Sequence, residues 1–182
     1  MQQRFGCGSG DERGTSDDEL THSLRGVSNF VGVFSADQLP TSFPVTDACL
    51  IVNYSDQNDP SGGTHWVAIL HLNNKQEQPA FFDSYGFAPD DENSVLHTDA
   101  NFHDYLKNQS KKAGHGGKFT YNLVNMQSSD GDECGEFSAY CCKVNVLPFT
   151  DKCMNAPWKR VLNMSAAPEA AQRNIKRIMG IR

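Results

Sequence analysis

The chain has 182 residues, of which 38% are hydrophobic, and it carries a formal net charge of −6. This length suits one domain with a complete hydrophobic core. No apolar run approaches the roughly 20 residues of a membrane-spanning helix, and the first residues lack the apolar segment of a secretory signal. We therefore exclude membrane proteins and secreted disulfide scaffolds, and we expect an intracellular protein with reduced thiols.

Charge is distributed unevenly along the chain. Residues 1–100 have a balance of −11, and residues 101–182 have a balance of +5. A basic half attracts phosphate backbones or acidic partners, although a solvated surface with uneven charge accounts for the same composition. Weak DNA binding through the second half is therefore kept as an open alternative.

The predicted elements of the first half are one helix followed by strands. Residues 1–14 are Gly-rich and polar, so a flexible tail is expected there and the domain spans 15–182. Ser16 offers an N-cap for a short helix that stops at Gly26. Residues 30–34 alternate weakly, as a strand or a turn would. Strands are then predicted over 49–54, over 65–72 and within 79–87.

The second half adds helices and a fourth strand. The predicted segments are loosely helical residues at 94–112, an alternating strand at 119–126, a helix that begins at Cys134 and a closing helix at 167–179. The chain order favours an α+β fold. We expect a single domain with a small mixed sheet flanked by helices.

Cys134 lies at the mouth of its predicted helix. Phe137, Cys141 and Val144 recur at the spacing of a buried helical face, so an ordinary core cysteine would lie farther into the helix. A helix N-terminus presents unpaired N–H groups and a positive dipole end, and both favour thiolate over thiol. The position therefore predicts a nucleophile, although a cysteine in a helix is more often a small core residue.

Three predicted strand ends carry polar residues that are able to converge on Cys134. His65 opens one strand, Asp83 closes the next and Gln127 follows the last. An imidazolium would lower the pKa of the thiol further, and a carboxylate on the other ring nitrogen would orient the histidine. The amide of Gln127 would donate to a developing oxyanion beside the backbone N–H of Cys134. Each residue alone has an ordinary structural explanation, and the prediction depends on their combination.

The motifs around these residues resemble the adenovirus protease family, the adenains. The resemblance rests on GGTHW at Gly62–Trp66, on FFDSYGF at Phe81–Phe87, and on Gln127 followed seven residues later by CGEF at Cys134–Phe137. The order of His before Cys is that of the clan of cysteine peptidases that also contains the SUMO-deconjugating enzymes. The resemblance extends from about residue 16 onward and is looser in the last third.

The resemblance implies a role for each site residue. Cys134 would be the nucleophile and His65 the general base. Asp83 would orient the imidazole, and Gln127 would line the oxyanion hole. Trp66 is similar to the aromatic residue that the family has next to its histidine, although an ordinary core tryptophan fits equally. The adenains have glutamate where this chain has Asp83, whereas the SUMO proteases have aspartate.

The function that the resemblance implies is that of a viral maturation cysteine endopeptidase. It would cleave viral precursor proteins after small residues, at sites that contain glycine, in the host nucleus or the virion. A deconjugating isopeptidase for SUMO or a ubiquitin-like modifier is the first alternative. An acyltransferase and a non-catalytic protein that binds nucleic acid or capsid stay open as further alternatives.

No cofactor or metal is expected, because the remaining histidines lack the spacing of metal ligands. The adenains are activated by a viral peptide that a disulfide tethers to a cysteine upstream of the oxyanion glutamine. This chain has no cysteine between Cys49 and Cys134, so a tether at that place is excluded. We therefore expect either constitutive activity or a non-covalent activating peptide, which needs only an open strand edge.

Overall fold

The computed structural model describes residues 15–60, 63–127, 131–150 and 153–154, together with the helical residues 175, 177 and 179. The tail expected at 1–14 lies outside the described residues. So does most of the closing helix expected at 167–179, although its described residues Ile175 and Met179 are buried.

The described elements are four α-helices and seven short strands. The helices are α1 (Asp17–Ser23), α2 (Asn93–Leu96), α3 (Phe102–Ala113) and α4 (Cys134–Val144). The strands are β1 (Phe30–Ser35), β2 (Ala48–Asn53), β3 (Trp66–Leu72), β4 (Ala80–Phe82), β5 (Thr120–Tyr121), β6 (Phe149–Thr150) and β7 (Cys153–Met154). One turn of 3₁₀-helix, Ala36–Gln38, follows β1.

Five strands form one mixed sheet in the order β1-β2-β3-β4-β5. The strands β2, β3 and β4 pair antiparallel, whereas β1 pairs parallel to β2 and β5 pairs parallel to β4. A small mixed sheet within an α+β domain was predicted from the sequence and is confirmed. The strands β6 and β7 form a separate two-stranded sheet.

Both faces of the central strands are buried, which explains why their sequences are apolar throughout rather than alternating. Side chains of β2 divide between two cores. Cys49 and Ile51 join the side that contains α1 and α4, and Leu50 and Val52 join the side that contains α3. The sheet is therefore covered by helices on both faces, and β3 lies at its centre.

The local signals at the helix ends operate as the sequence predicts. Ser16 caps α1 in a capping box: its hydroxyl accepts from the backbone N–H of Glu19, and the Glu19 carboxylate accepts from the N–H of Ser16. At the other end of the domain, α4 stops at Asn145, which adopts the left-handed conformation (φ 53°) that asparagine tolerates better than most residues.

The predicted fourth strand is much shorter than expected. Only Thr120 and Tyr121 pair with β4, although the alternation in sequence continues to Met126. Two apolar members of the alternation face solvent, since Tyr121 is 39% and Leu123 is 75% exposed. Asn122 is the buried residue instead, and its amide bonds to the backbone beyond β4. A polar side chain thus replaces the strand ladder at this point.

None of the helices in the described part of the chain combines the length and hydrophobicity needed to cross a bilayer.

Candidate active site

The four residues predicted from the sequence lie at the ends of neighbouring elements. His65 immediately precedes β3, Asp83 immediately follows β4, Gln127 follows β5 after a short loop, and Cys134 is the first residue of α4. All four are buried, with 2% or less of their surface exposed. Because β3 and β4 are antiparallel neighbours, the start of one meets the end of the other, which brings His65 to Asp83.

The sulfur of Cys134 is held against the start of β3. The backbone N–H of Trp66 donates to Sγ of Cys134 at 3.5 Å, and one turn later Ser138 Oγ donates to the carbonyl of Trp66 at 3.1 Å. The two contacts fix the N-terminal turn of α4 to the residue that follows His65. The sulfur therefore lies next to the histidine backbone, where a thiolate is favoured by the N–H group and by the helix terminus.

The segment before α1 packs against the other side of this helix terminus. The indole N–H of Trp66 donates to the carbonyl of Thr15 at 3.0 Å. A Cβ at Gly135 would lie 2.9 Å from Cβ of Thr15, so glycine is required for this approach. Trp66 is partly buried. Its indole contacts the segment before α1, and its backbone N–H contacts Sγ of Cys134, so it does more than fill the core.

Cys134 is chemically distinct from the other described thiols. In this structure Cys134 is disulfide-bonded, which departs from the reduced thiols expected from the sequence. Cys49, Cys141 and Cys142 are free and fully buried. Burial raises the pKa of Cys141 and Cys142 well above the ordinary thiol value, which makes these two poor nucleophiles. Reduction of Cys134 is needed before its sulfur is able to react.

His65 is oriented by Asp83. Its Nε2 lies 3.2 Å from Oδ1 of Asp83, and both side chains are almost completely buried. The imidazole lies between the rings of Tyr54 and Tyr85, with centroid distances of 5.9 Å and 5.1 Å. A carboxylate on Nε2 favours the tautomer with hydrogen there, which leaves Nδ1 as the accepting ring nitrogen.

Asp83 is itself held by the backbone around it. The N–H of Tyr85 donates to its Oδ1 at 2.7 Å, forming an Asx turn. Asn122 pairs with the Asp83 backbone through both of its amide groups, at 2.9 Å and 2.7 Å. These hydrogen bonds fix the Asp83 carboxylate, although the neighbouring strand β5 has already ended at Tyr121.

The amide of Gln127 is oriented by two short hydrogen bonds. Ser84 Oγ donates to Oε1 at 2.6 Å, and Nε2 donates to the carbonyl of Gly131 at 2.7 Å. Because Ser84 occupies the acceptor end, the nitrogen end of the amide is directed toward the loop that leads into Cys134. An amide carries two N–H groups, so this orientation presents donors rather than the carbonyl oxygen.

A close backbone approach joins the Asp83 turn to the segment before Gln127. Gly86 has φ of +79°, and a Cβ there would lie 2.7 Å from the carbonyl carbon of Val124. Only glycine fits both the conformation and the space. This contact with the segment before Gln127 explains why the motif FDSYG ends in glycine.

One buried acid at the site was not predicted. Glu92 lies in the loop before α2, with 2% of its surface exposed, and its Oε2 is 3.5 Å from Nε2 of His65. Burial, followed by the charge of Asp83, raises the pKa of Glu92 to about 10. One polar atom each of His65, Asp83 and Glu92 lies within 4.8 Å of the others.

A second histidine–carboxylate cluster lies at the opposite end of β3. His71 Nδ1 is 2.8 Å from Oδ1 of Asp47 and 3.0 Å from Oε2 of Glu77. Their proximity would permit a cation, although Asp47 Oδ1 already accepts from the amide of Asn74 at 2.8 Å. Asp47 lies 24 residues before His71, so no local spacing could have indicated this cluster.

Comparison with known proteins adds no relative: no protein-family model matches the sequence, and no curated protein is similar to it. The geometry of the site therefore carries the functional argument.

Sequence reasoning identified the four site residues but missed the residues that hold them. Ser84 and Asn122 orient Gln127 and Asp83, and neither has a sequence signal beyond an ordinary turn or strand residue. Glu92 follows two other acids, Asp90 and Asp91, and nothing in the run PDDEN distinguishes the buried member. For the site itself, the sequence signal was a polar residue at one end of each of three predicted strands.

Proposed function

We propose that this chain is a cysteine endopeptidase of the adenain type, which cleaves viral precursor proteins after small residues during particle maturation. The single observation that supports this most is the sulfur of Cys134, held at a helix N-terminus by the N–H of Trp66. The adjacent histidine carries a buried carboxylate on its other side. A thiol, a base and an orienting acid are the groups that acyl transfer requires.

The proposed reaction begins with reduced Cys134. His65 takes the thiol proton, and the sulfur attacks the carbonyl carbon of the scissile peptide bond. The carbonyl oxygen becomes an oxyanion beside the amide of Gln127 and the N–H groups of the helix terminus. The imidazolium then gives its proton to the leaving amine, and the C–N bond breaks. Water, deprotonated by the same histidine, hydrolyses the thioester and restores the thiol.

Labelling with an electrophilic peptide tests this mechanism directly. The protein is reduced and incubated with a peptide that ends in Gly-Gly and carries a thiol-reactive group, and mass spectrometry then identifies the modified cysteine. Labelling of Cys134, lost in Cys134→Ala and strongly slowed in His65→Ala, is the expected result. Labelling of Cys49 or Cys153 in place of Cys134 would contradict the proposal.

A deconjugating isopeptidase is the second candidate, and the identity of Asp83 favours it. An aspartate in place of the adenain glutamate is the choice of the SUMO proteases. The two functions are separated by paired substrates with the same small-residue sequence, one joined through a backbone peptide bond and one through a lysine side chain. Preference for the backbone bond supports the endopeptidase, and preference for the isopeptide bond supports the alternative.

A further inference from the structure

Two buried acids face one nitrogen of His65, and one proton is able to satisfy both. Nε2 of the imidazole is 3.2 Å from Oδ1 of Asp83 and 3.5 Å from Oε2 of Glu92. The structure gives each side chain 3% exposure or less. In the described part of the chain, neither carboxylate pairs with lysine or arginine. Two ionised carboxylates would leave an uncompensated buried charge, which is costly.

The hydrogen bonds of the two acids leave one oxygen of each without a donor. Oδ1 of Asp83 accepts from Tyr85 N–H and faces His65, whereas Oδ2 of Asp83 and Oε2 of Glu92 are buried and receive no hydrogen bond within the described residues. One carboxylate oxygen of each acid lies within 4.8 Å of the other and of the His65 ring nitrogen. A proton on Glu92 that is donated to Asp83 satisfies both oxygens, as in other carboxyl pairs that share one proton.

We propose that Glu92 is a positioning residue that acts as a neutral carboxylic acid: it donates a hydrogen bond to Asp83 and so holds Asp83 Oδ1 against His65. This inference rests on the proposed function, because the histidine it serves is the base of that mechanism. Glu92 acts through Asp83. It orients the acid that orients the base.

Neutrality of Glu92 also limits the charge beside the imidazole. A second negative charge near Nε2 would favour the imidazolium further, and a more stable imidazolium gives its proton less readily to the leaving amine. Among the described groups, the charges that act on Glu92 are those of Asp83 and of Asp91, the exposed chain neighbour of Glu92. Both acids disfavour ionisation of Glu92, and Tyr54, which is buried nearby after β2, carries no charge.

The matched variants are Glu92→Gln, Glu92→Ala and Asp91→Asn. The glutamine amide has nearly the same shape and retains a donor for Asp83, whereas alanine removes the donor. Asp91→Asn removes an exposed neighbouring charge and serves as the control. With reductant present, we expect kcat/KM to fall less than about threefold in Glu92→Gln and about tenfold in Glu92→Ala. Equal losses in the two Glu92 variants would overturn the inference.

A second measurement does not depend on peptide cleavage. An acid whose pKa is raised in the folded state binds its proton where the unfolded chain has lost it, so folding stability declines as pH rises from about 4.5 toward 10. Melting temperatures of the wild type should therefore fall across this range relative to Glu92→Gln, with Asp91→Asn resembling the wild type. Parallel curves for the wild type and Glu92→Gln would overturn the inference.

The rate of Cys134 alkylation against pH completes the test. Glu92→Ala should shift the apparent pKa of the reactive thiol, whereas Glu92→Gln should leave it near the wild-type value. This profile is diagnostic, because a merely structural role of Glu92 would not change it. An unshifted profile in Glu92→Ala would overturn the inference. Failure of the proposed function has a different signature, namely peptide cleavage that persists in Cys134→Ala.

Discussion

Ser84 is predicted to determine whether Gln127 stabilises or repels the oxyanion. Its hydroxyl donates to Oε1 of Gln127 at 2.6 Å, and both side chains are buried. Ser84→Ala removes this donor from a buried carbonyl oxygen, which costs about 1–3 kcal/mol of folding stability. The amide then loses one of the bonds that orient it and more often presents oxygen in place of nitrogen to the developing negative charge.

The kinetic effect of Ser84→Ala should be smaller than that of deleting the amide. Loss of one oxyanion donor costs roughly 10²–10³-fold in kcat, which is the loss expected of Gln127→Ala. In Ser84→Ala the bond from Nε2 to Gly131 remains, at 2.7 Å, and it still favours the productive orientation. We therefore expect a loss of about tenfold in kcat with little change in KM, since the ground-state carbonyl depends less on this donor than the oxyanion does.

Ser110 offers a matched control for the assay. Ser110 lies near the end of α3 and is as buried as Ser84. Its hydroxyl also donates at 2.6 Å, but the acceptor is the backbone carbonyl of Lys118. Hydrolysis of a reporter peptide and thermal unfolding are measured for both alanine variants, with reductant present. Both should lose a similar amount of stability, and only Ser84→Ala should lose kcat. An equal kcat for the two variants would refute the proposed control of the amide.

Four further outcomes are expected. His65→Ala should reduce kcat/KM nearly as much as Cys134→Ala, and Asp83→Asn should reduce it less. Peptide hydrolysis is measured on folded variants, and an equally large loss in Asp83→Asn would contradict this ranking. Gly86→Ala should lower folding stability by at least about 2 kcal/mol more than Gly114→Ala, whose new methyl group meets nothing within 4 Å, and similar denaturant midpoints would argue against the close approach. Activity should require reductant and keep a constant specific value on dilution, whereas a decline on dilution would indicate a reversible activator. Any DNA affinity should fall steeply with salt, and a flat response would remove DNA from the mechanism.

The sequence was sufficient to predict the elements that have strong local signals. The N-cap at Ser16, the apolar runs of β2 and β3 and the glycine stop at Gly26 all act within a few residues. The helix at Cys134 was predicted because Phe137 and Cys141 recur at helical spacing. Such signals do not depend on the rest of the fold.

The parts that sequence could not predict depend on distant partners. The alternation of residues 119–126 suggested a full strand, but Asn122 bonds to the Asp83 backbone and the strand ends after two residues. Glu92 is buried only because α2 brings it toward His65, and its neighbour Asp91 is exposed. Reciprocal burial of two acids costs free energy, so local composition gives no reason to expect it.

The contacts between the turn at Asp83 and the segment before Gln127 have an evolutionary consequence. Asn122 and Ser84 each bridge the two segments by hydrogen bonds, and Gly86 brings their backbones into contact. Asp83 and Gln127 are therefore expected to move together. A lineage that exchanged Asp83 for the longer glutamate would have to displace this turn, and the displacement would carry Gln127 with it. Substitutions at these positions should accordingly be inherited as a set, and single exchanges among distant relatives should be rare.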